Sequence, residues 1–301
     1  MPNDLGVPTA PQLNPAKLFE QFVAERRYLT NVSAKTVEWY RCSIKAFEPH
    51  LAECSEEELR LAVRSAVMAM AEAGRLSPVS INNYARCMNA FLNWLLTEGF
   101  ITRPIRLKKL KTTKKVLAIL TNEQVEKLIK YQPKKKIQRR VHVMVLLILD
   151  CGMRVDEVLH IDKSDVDLDN LLIKVRKGKG DKQRIVPITL PMRKHLYRYL
   201  KSESHPKSQF VFSTALGSAQ AYRNANRILK SIGESIGLPE LRFHLLRHTF
   251  ATNFISMGGN VVILKKILGH ASIATTMIYE HLQTADLQVT HHQHSLVGKL
   301  G

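Results

Sequence analysis

The sequence predicts a mainly helical protein with a small antiparallel β-sheet, in which an N-terminal helical domain precedes a C-terminal α+β domain. Three observations support this fold class. The apolar pattern is helical from about Pro15 to Gly99 and again from Ala221 onward. A cationic stretch with little periodicity, residues 102–116, separates two regions of the chain. Within the second region, two short β-type runs flank a turn that contains glycine.

These observations divide the chain into a flexible leader (1–14), a helical domain (15–103), a basic linker (104–116), an α+β domain (117–284) and a C-terminal tail (285–301). The leader MPNDLGVPTAPQLN is polar and Pro-rich, and it has neither the basic nor the apolar region of a signal peptide. The linker is interpreted either as a solvated charge run or as a tether that lies along a phosphate backbone.

The charge of the chain indicates a polyanionic partner. There are 45 Lys and Arg residues against 26 Asp and Glu, which gives a formal net charge of +19 and a pI near 9.9. Nucleic acid fits this excess better than a membrane, because the sequence has no run of about 18 consecutive apolar residues. The four cysteines are scattered and are interpreted as buried small hydrophobic residues of a protein in a reducing cytosol: Cys42, Cys54, Cys87 and Cys151.

Two segments of the helical domain resemble each other, SAKTVEWYRCSIKAF (33–47) and SPVSINNYARCMNAF (77–91). Each begins with a serine that can cap a helix. Apolar residues then follow at the spacing of one buried helix face: Val37, Tyr40, Ile44 and Phe47, and Ile81, Tyr84, Met88 and Phe91. Because a helix start exposes free N–H groups that suit a phosphate, phosphate contacts are predicted around the first segment at Ser33, Lys35, Thr36, Arg41 and Lys45.

The α+β domain begins with LTNEQVEKLIKY, in which Thr121 occupies the N-cap position and Gln124 the capping-box position. QPKKKIQRR is predicted to be a basic loop, and VHVMVLLILDCGMR a buried helix that ends near Gly152. NLLIKV and RIVPIT flank RKGKGDKQ and are predicted to form a hairpin. QFVFST is a candidate further strand. QAYRNANRILKSIG is predicted to be an exposed basic helix that carries Arg223 and Arg227.

The stretch from Phe243 to Leu282 places several polar groups in an apolar, helix-forming context: His244, Arg247, His248, His270, Tyr279 and His281. Because polar groups are costly to bury without partners, they form either a satisfied structural network or a site for a ligand. On a helix, positions 244, 247, 248 and 251 share one face, while Leu246, Phe250 and Phe254 are expected to point towards the core.

A zinc site is one alternative for this stretch, since His244 and His248 have the spacing of paired ligands. The glutamate of the zinc-protease pattern is missing, however, and nearby arginines would repel a cation. Arginine is suited instead to phosphate. Arg154 follows the glycine break at residue 152, and Glu157 can orient it. Lys179 lies at the tip of the glycine turn, and no metal is predicted.

Four segments together resemble the signature boxes of the tyrosine recombinase (phage integrase) family: CGMRVDEVLHI, VRKGKGDKQRIVPI, HLLRHTFATNFISMG and LGHASIATTMIYEH. SAKTVEWY resembles the start of the helical, SAM-like core-binding domain of that family. The resemblance therefore covers about residues 16–279. It implies that the two domains form a C-shaped clamp around duplex DNA and that the predicted phosphate contacts are DNA contacts.

The resemblance also implies an active set: Arg154, Lys179, His244, Arg247, His270 and Tyr279. In this family a tyrosine attacks the DNA to give a 3′-phosphotyrosyl link, and the strands are rejoined within a synaptic tetramer without metal or ATP. The two arginines would then clamp the scissile phosphate, the lysine would protonate the leaving 5′-oxygen, His244 would accept or shuttle the tyrosine proton and His270 would bond a phosphate oxygen. Glu157 and His248 are predicted to support this set.

The function expected from the resemblance is integration or excision of a mobile element at inverted-repeat core sites, by a bacterial protein of the cytosol or nucleoid without cofactors. Xer-like resolution of chromosome or plasmid multimers and relaxation by a type IB topoisomerase are alternatives. A non-catalytic regulator with the same fold would have lost an active-set residue, and none is missing. The tail is a candidate exchange segment that docks on a neighbouring subunit. His281, His291, His292 and His294 remain unassigned surface residues.

Overall fold

The computed structural model of the protein describes residues 12–112, 118–176 and 183–269. The chain forms two compact units, Met1–Lys115 and Val116–Gly301. Both units are mainly helical, and the second contains a three-stranded antiparallel sheet. The predicted fold class is therefore confirmed. No helix in the described ranges is long and apolar enough to cross a membrane.

The described part of the first unit contains four α-helices, α1 (Pro15–Tyr28), α2 (Ala34–Ile44), α3 (Glu56–Glu72) and α4 (Pro78–Thr97). Their core is rich in aromatic rings, and Phe22 lies 5.1 Å from Tyr40 and 5.7 Å from Phe91 between ring centroids. The two predicted serine caps are confirmed, because Ser33 accepts from the N–H of Thr36 and Ser77 from that of Ser80. Local sequence is sufficient here, since a capping side chain and the backbone N–H that donates to it are three residues apart.

Two details of this unit differ from the sequence-based expectation. Tyr84 is only partly buried, and Ala85 is the fully buried residue of that turn. Cys42 is exposed, because it lies away from the buried face formed by Val37, Tyr40 and Ile44, whereas the other three cysteines are buried.

The basic segment that follows α4 has no helix or strand between residues 101 and 112, but it is anchored to α4. Asn89 accepts from the N–H of Leu107 at 2.8 Å and donates to its carbonyl oxygen at 3.0 Å. Asn82 holds Leu110 in the same way, at 2.8 and 3.0 Å. Ile105 and Leu107 are buried, while the cations between and beyond them face solvent: Arg106, Lys108, Lys109 and Lys111.

The second unit is built around α6 (Lys136–Cys151), which packs against helices on several sides. The remaining helices described in this unit are α5 (Asn122–Lys130), α7 (Val155–Leu159), α8 (Leu190–Ser202), α9 (Tyr222–Ser235), α10 (Phe243–Ser256) and α11 (Val261–Leu268). The capping box of Thr121 and Gln124 is confirmed, as is the end of α6 at Gly152, which has φ +65°. The prediction of a loop over QPKKKIQRR is wrong from Lys136 onward, because Gln138 accepts from the N–H of Lys135 and starts the helix there.

The sheet consists of β1 (Val166–Asp167), β2 (Leu172–Val175) and β3 (Arg184–Pro187) in that order. The predicted pairing of β2 with β3 is confirmed, with Val175 opposite Arg184. QFVFST does not form a strand, because only Phe210 and Ser213 make isolated bridges; β1 supplies the third strand instead.

The orientation of α10 was predicted correctly only in part. Leu246 is fully buried, as expected, but Phe250 and Phe254 are half-buried. They line an apolar groove of about 380 Å³ together with side chains of α5, α6 and α8. Four residues of α10 are almost fully buried, and of these Thr249 also lines the groove: Leu246, Thr249, Ala251 and Ile255.

Candidate active site

Arg247 lies on α10 and is almost completely buried, with 7% of its surface exposed. Its Nη1 donates to the carbonyl oxygen of Gly152 at 2.7 Å, and its Nη2 donates to that of Leu268 at 2.8 Å. These carbonyls belong to the C-terminal ends of α6 and α11, where unpaired carbonyl oxygens and the negative end of the helix dipole favour a cation. The buried guanidinium is therefore stabilised by the fold itself. Of the two alternatives that the sequence left open for Arg247, these contacts support a satisfied structural network.

Arg154 follows α6 directly and lies beside the same two turns. Its Nη2 donates to the carbonyl oxygen of Gly269 at 3.2 Å, and its Nη1 donates to Glu157 Oε1 at 3.0 Å. With 27% of its side chain exposed, Arg154 is more accessible than Arg247. The structure thus brings Arg154 and Arg247, 93 positions apart in the chain, to one place between the ends of α6 and α11.

Glu157 confirms the expectation that it orients Arg154, but it has a second partner. Its Oε1 and Oε2 accept from Arg184 Nη1 at 2.8 Å and Nη2 at 2.6 Å, and Oε2 also accepts from the backbone N–H of Arg154 at 2.8 Å. Burial by itself would raise the pKa of this carboxyl. The hydrogen bonds and positive charge of Arg184, and then those of Arg154, outweigh burial and lower the pKa. Glu157 is therefore an ionised, fully engaged carboxylate.

Arg184 is a residue of the site that the sequence interpretation missed. Its side chain is 10% exposed, and its Nε donates to the carbonyl oxygen of Ile267 at 2.8 Å. Strand alternation offered a signal, because Val186 is an inward position and Arg184 lies two residues before it on the same face. A cation at an inward position requires a buried acceptor.

Two glycines make the close approach of these elements possible. Gly152 has φ +65°, and a Cβ there would lie 2.2 Å from Phe250 Cδ1. Gly269 has φ +63°, and a Cβ there would lie 2.9 Å from Arg184 Nη1. Both positions need a residue that tolerates a left-handed backbone and adds no side chain.

His244 lies at the exposed start of α10, and His248 is half-buried one turn further on. Burial, followed by the electrostatic influence of His244 and Arg247, lowers the pKa of His248. His248 is therefore favoured in its neutral form, which can donate or accept a hydrogen bond.

Three members of the predicted active set lie outside the described residues: Lys179, His270 and Tyr279. The same holds for His281, His291, His292, His294 and the predicted exchange tail. Among the described residues, β2 ends at Val175 and β3 begins at Arg184. Three carbonyl groups that accept from arginines directly precede residue 270 in the chain, those of Ile267, Leu268 and Gly269.

The predicted contacts of the first unit are distributed along α2 and are not all at its start. Ser33 caps the helix, its side chain also lies 2.9 Å from Thr36 Oγ1, and Lys35 is exposed in the first turn. Arg41 and Lys45 lie at the other end of this helix, so they add positive charge along the segment and not at its capped start. Arg41 also donates to Glu20 at 2.9 Å, which offsets part of its charge.

In the second unit, Arg223 and Arg227 are exposed one turn apart on α9, whose opposite side is buried through Ala225 and Leu229. The prediction of an exposed basic helix is confirmed. The role of Arg223 and Arg227 in DNA binding remains a prediction.

Comparison with known proteins defines the class of this protein first at the level of fold. The Tn1549 transposon integrase in complex with transposon right end DNA matches with a TM-score of 0.77 at 20% identity, over 94% of this chain and 99% of that one. XerH site-specific recombinase bound to difH substrate matches with a TM-score of 0.70 at 23% identity, over 92% and 83% of the two chains. The fold is thus that of DNA recombinases.

Sequence comparison then gives the family. The phage integrase family profile matches residues 118–286. Tyrosine recombinase XerA of Thermococcus kodakarensis is 32% identical over 223 residues, which cover 73% of this chain and 77% of that protein. Tyrosine recombinase XerD of Rickettsia bellii is 29% identical over 301 residues, which cover 92% and 97% of the two chains. The chain belongs to the phage integrase family of tyrosine recombinases, enzymes of site-specific DNA recombination that cleave and rejoin DNA.

Proposed function

We propose that this protein recombines DNA at specific sites by attack of Tyr279 on a phosphodiester, with a 3′-phosphotyrosyl intermediate, and that it integrates or excises a mobile element. The observation that carries the proposal is the convergence of Arg154 and Arg247 between the ends of α6 and α11. Two fixed guanidinium groups at one place suit a phosphate whose non-bridging oxygens gain negative charge in the transition state.

The electrostatic balance of the described cluster supports this assignment. Arg154, Arg184 and Arg247 contribute three permanent positive charges, and Glu157 contributes one negative charge. The cluster is therefore cationic even after its internal ion pairs have formed. Since its guanidinium groups are held by carbonyl oxygens and a carboxylate, they need little rearrangement when a phosphate binds.

The remaining roles follow from side-chain chemistry. Tyr279 supplies the nucleophile, and His244 takes or relays its proton. Lys179 protonates the 5′-oxygen as it leaves, and His270 donates to a phosphate oxygen. Because the bond to the enzyme preserves the energy of the cleaved phosphodiester, rejoining requires no ATP. The arginines stabilise charge on the phosphate, a role for which other enzymes use a metal ion.

DNA contacts are proposed on both units. Arg223 and Arg227 reach base edges from α9, and exchanging them should change site preference without changing the cleavage chemistry. Ser33, Lys35 and Thr36 contact phosphate at the start of α2, with Arg41 and Lys45 further along it. We propose inverted-repeat core sites and assembly of a homotetramer on DNA from a free monomer or weak dimer.

A specific observation favours Xer-type resolution of chromosome or plasmid multimers as a second candidate. The curated relatives include proteins named XerA, XerC and XerD, and the match to the Rickettsia bellii XerD extends over nearly the whole of both chains. The Tn1549 integrase favours the mobile element. Sequencing the DNA on both sides of the gene for short inverted repeats, together with a search for excised circles, distinguishes these two roles.

A nicked suicide substrate tests the chemistry directly. The wild type should form a covalent protein–DNA adduct in the presence of a chelator and without ATP, and Tyr279→Phe should form none while it still binds DNA. The loss is expected because Phe lacks the attacking oxygen. Tyr222→Phe is a matched control, since this exposed tyrosine lies at the start of α9, and it should form the adduct normally. An adduct with Tyr279→Phe, or one that requires magnesium, would contradict the proposal.

A further inference from the structure

We propose that Arg184 is a positioning residue for the phosphate clamp: it holds Glu157 so that Arg154 keeps the orientation needed to bind the scissile phosphate. The inference rests on the proposed function, and it adds a residue that lies outside the active set implied by the family resemblance. It is carried by contacts that join β3, α7 and the turn after α11.

Glu157 is bound by two arginines at once. Its two oxygens accept four bonds, two from the guanidinium of Arg184, one from that of Arg154 and one from the Arg154 backbone. Arg184 thus makes the paired contact that an arginine and a carboxylate favour. Arg154 makes only a single side-chain contact with the carboxylate, and its Nη2 points to Gly269.

Loss of Arg184 would deprive the Glu157 carboxylate of its paired cation. Glu157 is buried, with a side chain that is 4% exposed, and water could replace its lost partner only in part. A buried carboxylate that loses its main cation is strongly drawn to the next one. It would then take the guanidinium of Arg154 in a paired contact and draw it away from Gly269. Arg184 therefore prevents Glu157 from withdrawing the residue that it orients.

Arg184 has a second anchor near the end of α11. Its Nε donates to the carbonyl oxygen of Ile267 at 2.8 Å, and Gly269 leaves the space that the guanidinium fills. Arg184 also begins β3, the strand that follows the connection with Lys179. The Arg184 side chain thus links β3, the strand that follows Lys179 in the chain, to the end of α11, which precedes His270 in the chain. Lysine could not make these three contacts, since it has no planar fork of donors.

The test separates positioning from simple stabilisation. Arg184→Gln and Arg184→Lys are compared with wild type for the single-turnover rate of adduct formation at saturating DNA, DNA affinity in the Tyr279→Phe background, and urea unfolding. Adduct formation by Arg184→Gln should slow by about 10- to 100-fold, because a displacement of about 1 Å at a reacting group can cost this much. DNA affinity should change by less than about threefold, since most of it comes from phosphate contacts elsewhere. Arg184→Lys keeps the buried positive charge and should recover part of the rate. If Arg184→Gln does not fold, the comparison is made with Arg184→Lys.

Two further variants decide the mechanism. Arg139→Gln breaks an ion pair with Glu203 elsewhere in the same unit and should leave the rate of adduct formation unchanged. Glu157→Gln should slow the reaction, and adding Arg184→Gln should slow it little further, because Arg184 acts through Glu157. The positioning role would be overturned if the rate losses of Glu157→Gln and Arg184→Gln multiplied in the double variant. It would also be overturned if folded, DNA-bound Arg184→Gln formed the adduct at the wild-type rate. A wild type without any adduct would instead contradict the proposed function, and with it this inference.

Discussion

Arg247 Nη2 donates to the carbonyl oxygen of Leu268 at 2.8 Å and so attaches α10 to the C-terminal end of α11. The same guanidinium reaches Gly152 at the end of α6. A residue proposed to bind the scissile phosphate is therefore also part of the framework that joins three helices. Structural and chemical roles coincide in one side chain, and a substitution at this position is expected to affect both.

The first prediction concerns Arg247→Lys. A lysine keeps the charge but cannot reach both carbonyls with a planar fork. We expect a loss of about 1–3 kcal/mol in the free energy of unfolding, as for a buried acceptor that loses its donor, together with a large loss of adduct formation. Urea unfolding and the suicide substrate measure the two effects. Arg242→Lys, at the exposed start of the same helix, is the control, and equal unfolding midpoints for the two variants would contradict the framework role.

A second prediction concerns Gly152→Ala. The left-handed backbone costs a non-glycine residue about 1–2 kcal/mol, and the added Cβ would also lie 2.2 Å from the ring of Phe250. Gly237 has φ +76° in the same unit, but nothing lies within 4 Å of its Cβ position. Gly152→Ala should therefore destabilise the second unit clearly more than Gly237→Ala in thermal unfolding. Similar losses would mean that the contact with Phe250 is relieved by side-chain movement alone.

The third prediction concerns the basic segment that Asn82 and Asn89 hold on α4. Replacing both by Ala should weaken DNA binding, because the exposed cations must then be ordered upon binding. The slope of log affinity against log salt should stay unchanged, since no cation is lost. Lys108→Gln with Lys109→Gln should reduce that slope by about one for each lost phosphate contact.

Asn93→Ala is the matched control for the two asparagines, because Asn93 is exposed on the same helix. It should leave DNA affinity unchanged. If the Asn82 and Asn89 double variant binds as tightly as wild type at every salt concentration, the anchored conformation of the segment has no role in binding.

A fourth prediction concerns pH. Burial, as the first cause, lowers the pKa of His142, His195 and His248 in the second unit. The unfolded chain therefore takes up protons more readily than the folded chain as pH falls through the ordinary histidine value of about 6.5. Stability should be highest above that value and should fall from about pH 7.5 to about pH 5. Urea midpoints across this range measure the effect.

His142→Gln tests the source of this dependence. His142 is buried, and its Nε2 lies 2.7 Å from the carbonyl oxygen of Leu128. Glutamine can donate to the same oxygen but does not titrate, so the variant should show a shallower loss of stability. The lowered pKa of Glu157 acts in a different window, since its contribution is lost only as pH falls below the ordinary carboxyl range. If the urea concentration at the midpoint of unfolding is constant between about pH 7.5 and about pH 5, the histidines are not the source of the pH dependence of stability.

The sequence by itself determined the local features of this protein. Helix caps and helix ends depend on residues within one helical turn, as at Ser33, Ser77, Thr121 and Gly152. The apolar spacing that predicts a helix is equally local. The family signature also followed from sequence, because its boxes are short segments in a fixed order. The loop predicted over Lys136 is wrong for an equally local reason, because the bond from the Lys135 N–H to Gln138 starts a helix within a run of charged residues that is typical of a loop.

Only the tertiary structure decided which groups satisfy the buried cations. Arg154 and Gly269 are 115 positions apart in the chain, and Arg247 and Gly152 are 95 apart. A local sequence pattern cannot predict which carbonyl oxygen an arginine will bind, because every residue carries one. For the same reason the role of Arg184 becomes visible only through its contacts with Glu157 and Ile267. Asn82 and Asn89 look like ordinary polar helix residues in the sequence, and only the folded chain brings Leu110 and Leu107 beside them.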